Sequence, residues 1–508
     1  MTSFDLPDDP GRPDEDEDEA RARPSASLAN GLTAAGRHAL PAPLARATPE
    51  PEPPAPPAVG PTRPRPRVER SAMPALGPDR VPSWAILLVQ LMWILQLFEP
   101  EWFLASFGGQ GLFTRIPTLL TPLLLLAVAQ NWRREALYWP FVIFLLLHVV
   151  HMPFVENRGF LMGGFKLLYH YFFMFLGTVC LMSRPSRMLW LLRMYMLCYA
   201  WFAVQGAYKG EVDWHTALAN PDSYGPWMCM GLGYAYYYGM AVRDRRLKWA
   251  SFLLAGLCLV GTVASLARGA VLAAAFVAGL IWIRSPRKLA TAISGLVATV
   301  VVAGAVSIVH PPGEFIAEME TVSEGTEAGT GMERWVMWGV AWEVWKQYPI
   351  LGTGPNNVGA VAAKVMPYDP TRPQYKDPVV FYAKKLHNIY MQILSEMGIV
   401  GATAWLVMLF DYFRRLRMLR RRSAIARWRA MTRGALDLHA VSLGLECAMA
   451  AYLVNGLVYN QIYIHWFWSL VAIVYVLSMV TAGPAGPHDP AGRRRRPGSP
   501  GPARPVEA

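Results

Sequence analysis

Cysteine is scarce and carries no pattern. The five in 508 residues, Cys180, Cys198, Cys229, Cys258 and Cys447, sit inside apolar segments without CxxC spacing or a nearby His partner. A cysteine-based metal site is excluded, and they read as small buried hydrophobes. Carboxylates are sparse too. Their one dense run is residues 14–19, and no Asp-x-Asp or paired-His motif occurs in the segments read below as exterior, so those segments show no metal-binding pattern. The first 80 residues lack any apolar periodicity that could support a core; Pro-rich from 41 to 66, they read as a disordered cytoplasmic tail. A cleavable signal peptide is also missing. An apolar stretch begins only after Val81 and no small-residue cleavage site follows, so the first span is retained.

What is present is apolar content gathered in blocks. The chain is 53% hydrophobic and 17% charged, but its middle returns repeatedly to runs of roughly 20 apolar residues, the length that spans a bilayer core. Spans are expected at 83–99, 113–130, 137–155, 164–182, 188–206, 224–243, 249–266, 269–284, 288–309, 387–413, 437–459 and 462–481. The fold class is therefore an all-α integral membrane bundle of about 12 transmembrane helices. The net charge of +12 falls mostly between these blocks, where it has a topological meaning, and nucleic-acid binding is discounted. Arg133 and Arg134, Arg184 and Arg187, and the basic stretches 243–248, 284–288, 414–433 and 493–496 all fall on alternate connections. With those connections inside, both termini are cytoplasmic and the one long connection, 310–386, is exterior. The expected organisation is a tail over 1–80, nine spans over 81–309, the exterior loop over 310–386, three spans over 387–481 and a basic tail over 482–508.

Within the loop, Trp335, Trp338, Trp342 and Trp345 recur at helical spacing, so four indoles share one face of a helix that Pro349 and Gly352 end. Indole favours the water–hydrocarbon boundary, which suits an amphipathic helix lying at the exterior headgroups; a plain cap over the bundle fits the same pattern. Arg334 opens this helix. Arg268 stands between two apolar spans at the same surface, where a guanidinium must snorkel, pair or bind an anion. His387 opens a later span at that boundary, where imidazole can take a proton from a hydroxyl. Lys166 and His170, at the exterior end of the fourth span, are further candidates. Glu396 is about half a turn out of phase with His387 and is expected to hold helices together. If Arg268, Arg334 and His387 converge, they suit displacement of a diphosphate leaving group, with guanidiniums on the phosphate oxygens and imidazole as base.

These residues resemble the O-antigen ligase and polysaccharide polymerase family, which also includes some protein O-oligosaccharyltransferases. The resemblance is carried by residues 265–270, the Arg334-Trp335 start of the exterior helix, residues 349–357, and His387-Asn388-Ile389-Tyr390 through Leu394, Glu396, Gly398 and Gly401. It is clearest from about 220 to 410. It implies an undecaprenyl-diphosphate-linked glycan donor, a glycan, lipid or protein acceptor, and metal-independent transfer with inversion, without a cofactor. The setting would be the bacterial inner membrane. The family's residues map to His387 as catalytic base and to Arg268 and Arg334 as diphosphate ligands; Lys166 is a diphosphate candidate by its position on the fourth span alone. One departure is Ala267, where the family often has Ser; any role of that hydroxyl is lost or moved to Ser265. Ligase and repeat-unit polymerase share these motifs. A transporter or flippase would instead show internal repeats and charges at the bilayer midplane, and neither is evident. A scaffold recruited through the Pro-rich tail leaves the exterior cations unexplained.

Overall fold

The computed structural model describes residues 81–98, 112–212, 218–307, 329–365, 385–460 and 462–482. The two tails and much of the expected exterior loop, at 308–328 and 366–384, lie outside the described residues. The chain reads α1 (Ser83–Phe98), α2 (Leu112–Gln130), α3 (Trp139–His151), α4 (Arg158–Leu181), α5 (Pro185–Gly206), α6 (Pro221–Ala241), α7 (Arg245–Ala264) and α8 (Arg268–Arg284). It continues with α9 (Lys288–Ser307), α10 (Gly329–Gln347), α11 (Val358–Val365), α12 (Ile389–Leu419), α13 (Arg422–Met431), α14 (Leu438–Asn455) and α15 (His465–Ala482). No strand occurs among the described residues.

Each expected span coincides with a helix, because an apolar segment in lipid can satisfy its backbone polar groups only internally. Seven helices, α4, α5, α7, α9, α12, α14 and α15, are long and apolar enough to cross a membrane, and the chain is a multi-pass membrane protein. Burial sorts the helices. α15 and α6 are buried along nearly their whole lengths, whereas α9 leaves Leu289, Leu296, Val300 and Val301 largely exposed. An apolar exterior of that extent fits lipid, not water.

Two features differ from the sequence expectation. α12 runs on to Leu419, past the expected end of its span, and the Arg-rich connection after it folds as α13. That short helix buries Ala424 and Trp428 while its arginines face outward, and the Trp428 indole donates to the Leu436 carbonyl at 3.1 Å. The loop also holds a second helix, α11, beside α10.

The segment 349–357 explains a run of glycines. α12 is kinked at Gly398, whose φ of 61° and ψ of −164° belong to glycine alone. Against this kink lies the turn after α10. Thr353 N donates to Ser395 O at 3.1 Å, Gly354 N to Glu396 O at 2.9 Å, Ile399 N to Pro349 O at 2.9 Å and Val400 N to Ile350 O at 3.2 Å. A Cβ at Gly398 would strike the Ile350 carbonyl, and one at Gly352 would strike Glu396. Glu396, fully buried, takes the Gln392 amide at 3.2 Å and the Asn356 backbone N–H, so it holds this interlock together. Gly398→Ala is expected to lower stability by about 1–3 kcal/mol through backbone strain, seen as a lower unfolding midpoint in detergent. An unchanged midpoint would show that the kink relaxes freely.

Candidate active site

The site forms at the bundle end where α14 terminates. Here the α7–α8 turn is tight: Ser265 N and Leu266 N return to the carbonyls of Gly261 and Val263, and Leu266 is forced to a φ of 52°. Non-glycine residues rarely adopt that conformation. The turn delivers Arg268 as the first residue of α8, behind Ala267, which supplies no side-chain cap. The positive end of the α8 dipole thus lies at the site. The Ser265 Oγ donates to Thr262 O at 2.8 Å and accepts from Ala267 N at 3.4 Å, so it sits within the turn.

Gly269 lets α8 approach the end of α14, since a Cβ there would strike Val458. The loop after α14 is bound in turn to the start of α12. Ile389 N donates to Gly456 O at 2.8 Å, and the Asn388 amide donates to Leu457 O at 3.0 Å. Asn388 also caps α12 through its Oδ1, accepting from Tyr390 N and Met391 N. His387, one residue earlier, has a φ of 49°. Strain of this kind persists only where surrounding contacts over-determine the backbone, and it gathers at functional sites.

α10 carries the third residue. It packs through Met337, Val340, Ala341 and Val344 against Val358, Ala362 and Leu386. The bundle-facing stripe is therefore aliphatic, and the indoles lie to one side of it. Trp335 and Trp342 are exposed, and the indoles meet in tilted pairs, Trp335 with Trp338 at 5.1 Å and Trp342 with Trp345 at 4.8 Å between centroids. Trp338 also donates to the Leu386 carbonyl at 2.9 Å, which clips α10 to the residue before His387. Glu343 pairs with Lys346 at 2.7 Å.

The result is one cleft of about 170 Å³ lined by the first turn of α8 with Arg268, by Arg334, and by Asp222, Asn455, Val458 and Tyr459. This volume suits a small charged headgroup, not a whole oligosaccharide. His387 reaches the cleft through Tyr459, whose ring centroid lies 6.1 Å from the imidazole. Tyr459 is anchored by a 2.5 Å hydrogen bond between its hydroxyl and that of Ser223 on α6. Burial raises the Tyr459 phenol above its ordinary value, the Ser223 hydrogen bond opposes this and the Asp222 charge adds to it. The phenol is thus neutral at physiological pH and serves as a hydrogen-bonding group, not as a base. The Asn455 amide gives its N–H to Ala451 O at 2.9 Å, leaving its Oδ1 without a partner beside the cleft.

The structure thus brings Arg268 and Arg334 into one cleft, whereas His387 does not line it and touches only its Tyr459 wall. Lys166 is exposed on α4 and His170 is buried in the same helix; neither lines the cleft. Sequence reasoning missed Tyr459, Asn455, Ser223 and Asp222. A tyrosine in a short loop between two apolar spans carries no local signal, and its importance appears only when three helices meet.

The fold is that of a multi-pass membrane protein, with a cleft at one end lined by Arg268, Arg334 and Asp222. Residues 250–406 match the family model described as O-Antigen ligase. That segment contains Arg268, Arg334, His387 and the interlock around Gly398. Over those residues the chain is similar to the O-antigen ligase family. No curated protein matches the chain.

Proposed function

We propose that this protein is a glycosyltransferase transferring a glycan from an undecaprenyl-diphosphate-linked donor to an acceptor hydroxyl on the outer face of the bacterial inner membrane. The observation that carries the reading is the shared cleft of Arg268 and Arg334, with His387 against Tyr459 at its side. On this reading the bundle has about twelve crossings, both termini are cytoplasmic and the cleft is periplasmic.

In the reaction, the acceptor O–H gives its proton to His387 while its oxygen forms a bond to the anomeric carbon. The bond from that carbon to the diphosphate oxygen breaks, and its electron pair leaves with the diphosphate. Attack opposite the leaving group inverts the anomeric centre. Arg268, Arg334 and the positive end of the α8 dipole hold the diphosphate and stabilise its developing charge. These cations perform the neutralisation that a metal performs elsewhere, so transfer is proposed to be metal-independent. The polyprenyl tail stays in lipid, and the exposed indoles of α10 lie at the boundary where donor headgroup and tail meet. Lys166, exposed on α4, is proposed only to meet donor phosphate on its approach.

The test is a deletion strain complemented by the normal chain. Loss of surface glycan on deletion, with full restoration, is expected, and purified protein should transfer glycan in the presence of a chelator. Long lipid-linked chains accumulating on deletion identify a ligase, and single lipid-linked units a polymerase. Unchanged glycan and lipid-linked pools would overturn the reading in favour of transport or scaffolding. Tyr459→Phe should reduce transfer about fivefold, the worth of one neutral hydrogen bond, measured as initial rate with purified protein. A rate equal to that of the normal chain would remove the hydroxyl from the site.

A further inference from the structure

α12 starts beside the cleft and ends at the other end of the bundle, and its outer face changes character on the way. Ile399, Leu406, Val407 and Phe410 are exposed and lie on one side of the helix. From Ile389 to Phe410 the helix rises roughly 30 Å, the thickness of the hydrocarbon core, so this apolar side faces lipid. At the same helical spacing the next exposed residues are Arg414, Arg417 and, just past Leu419, Arg421. Arg422, the first residue of α13, is exposed beside them, and six arginines fall between 414 and 422. Among the described residues the ion pairs at this end join Asp411 to Arg414 and Arg415, and Glu446 to Arg284 and Arg420; none takes Arg417, Arg421 or Arg422. α7 enters at the same end, because Asp437 N, after α13, donates to Ala241 O at 2.9 Å and Val242 bridges Leu436. It repeats the pattern: exposed Arg246 shares a face with Trp249 and Leu253, both more than half exposed. Exposed indoles mark the headgroup level of a bilayer, so the arginines of this end stand at the level of the lipid phosphates.

We propose that the surface formed by Arg417, Arg421 and Arg422, where α12 passes into α13, docks the headgroups of anionic phospholipids. The carboxylates of this end are matched by other guanidiniums, so this face carries net positive charge at the height where phosphates lie. Guanidinium matches phosphate geometry with paired donors. A dense arginine cluster directly beyond a membrane span draws anionic headgroups in preference to zwitterionic ones, whose own ammonium balances the phosphate. The surface is remote from the cleft of Arg268 and Arg334, and its occupancy does not depend on glycan transfer.

The experiment uses the full chain purified in detergent, alongside the double variant Arg417→Gln, Arg421→Gln. A second double variant, Arg493→Gln, Arg494→Gln, removes the same charge from the C-terminal segment. Each protein is titrated with short-chain phosphatidylglycerol and short-chain phosphatidylcholine, and occupancy is read locally, as slowed hydrogen exchange at the backbone amides of residues 419–426. Phosphatidylglycerol should slow exchange there in the normal chain and, with equal affinity, in the C-terminal variant. In the Arg417, Arg421 variant the affinity should fall about 25-fold, about fivefold for each guanidinium removed. Phosphatidylcholine should leave exchange unchanged in all three. Equal phosphatidylglycerol affinity in the Arg417, Arg421 variant and the normal chain overturns the proposal, as does an equal response to phosphatidylcholine. An equal loss in the C-terminal variant also overturns it, since net charge alone would then be responsible. If the double variant does not fold, Arg417→Gln alone, at an exposed position within α12, should show the fivefold loss, and its absence overturns the proposal.

Discussion

His387→Ala is expected to abolish glycan transfer while leaving the protein folded in the membrane. The imidazole begins no secondary structure of its own; Asn388 caps α12 and the Gly456 carbonyl holds Ile389. Removal of the ring therefore leaves the helix start intact and relieves a side chain at a φ of 49°. Loss of a positioned general base typically costs about 10²- to 10⁴-fold in rate. In cells that loss is read as disappearance of the finished surface glycan at normal protein level, with accumulation of lipid-linked donor. His387→Gln keeps the size and a hydrogen-bonding group but cannot carry the proton, so it should be equally inactive. Full glycan in either variant would remove His387 as base, while loss of activity together with loss of protein would point to a structural role instead.

Arg268→Lys should be nearly as damaging, although the charge is kept. At the first position of α8 the guanidinium meets the cleft at the positive end of the helix, and a flexible ammonium cannot reproduce its paired donors. A loss of about 10²- to 10³-fold is expected, comparable with removal of one preorganised donor from a developing oxyanion. Arg334→Lys should behave similarly, and the double variant should fall well short of the product of the two losses if both residues hold the same diphosphate. The measurement is initial transfer rate with purified protein and lipid-linked donor. Independent, multiplying losses would mean that the arginines act on different groups.

Much of the bundle was legible in the sequence because a bilayer imposes a length rule. An apolar run of sufficient length has no alternative to a helix, so the helix positions followed from hydropathy alone. The same rule says nothing of segments that pack at the bundle ends, and there the reading fell short. α13 hid in an Arg-rich stretch because only Ala424 and Trp428 of it face inward. α11 hid in a loop because its small residues are buried by α10, a partner no local window contains.

The roles of the glycines and of Glu396 divide in the same way. The family resemblance drew on residues 349–357 and on His387 through Gly401, but did not show them to be two halves of one interlock. Four backbone hydrogen bonds across the Gly398 kink make that connection.

The sequence by itself determined the membrane class and the helices, and singled out Arg268, Arg334 and His387 as candidates, because hydropathy and charge are local properties of the chain. Only the tertiary structure decided that Arg268 and Arg334 share a cleft and that His387 meets it through Tyr459. It also turned the indoles of α10 to the side of an aliphatic docking stripe. The physical reason is that each of these facts depends on contacts between helices far apart in the chain. Such contacts are chosen by side-chain packing and by the carbonyls left over at helix ends, which no single segment specifies.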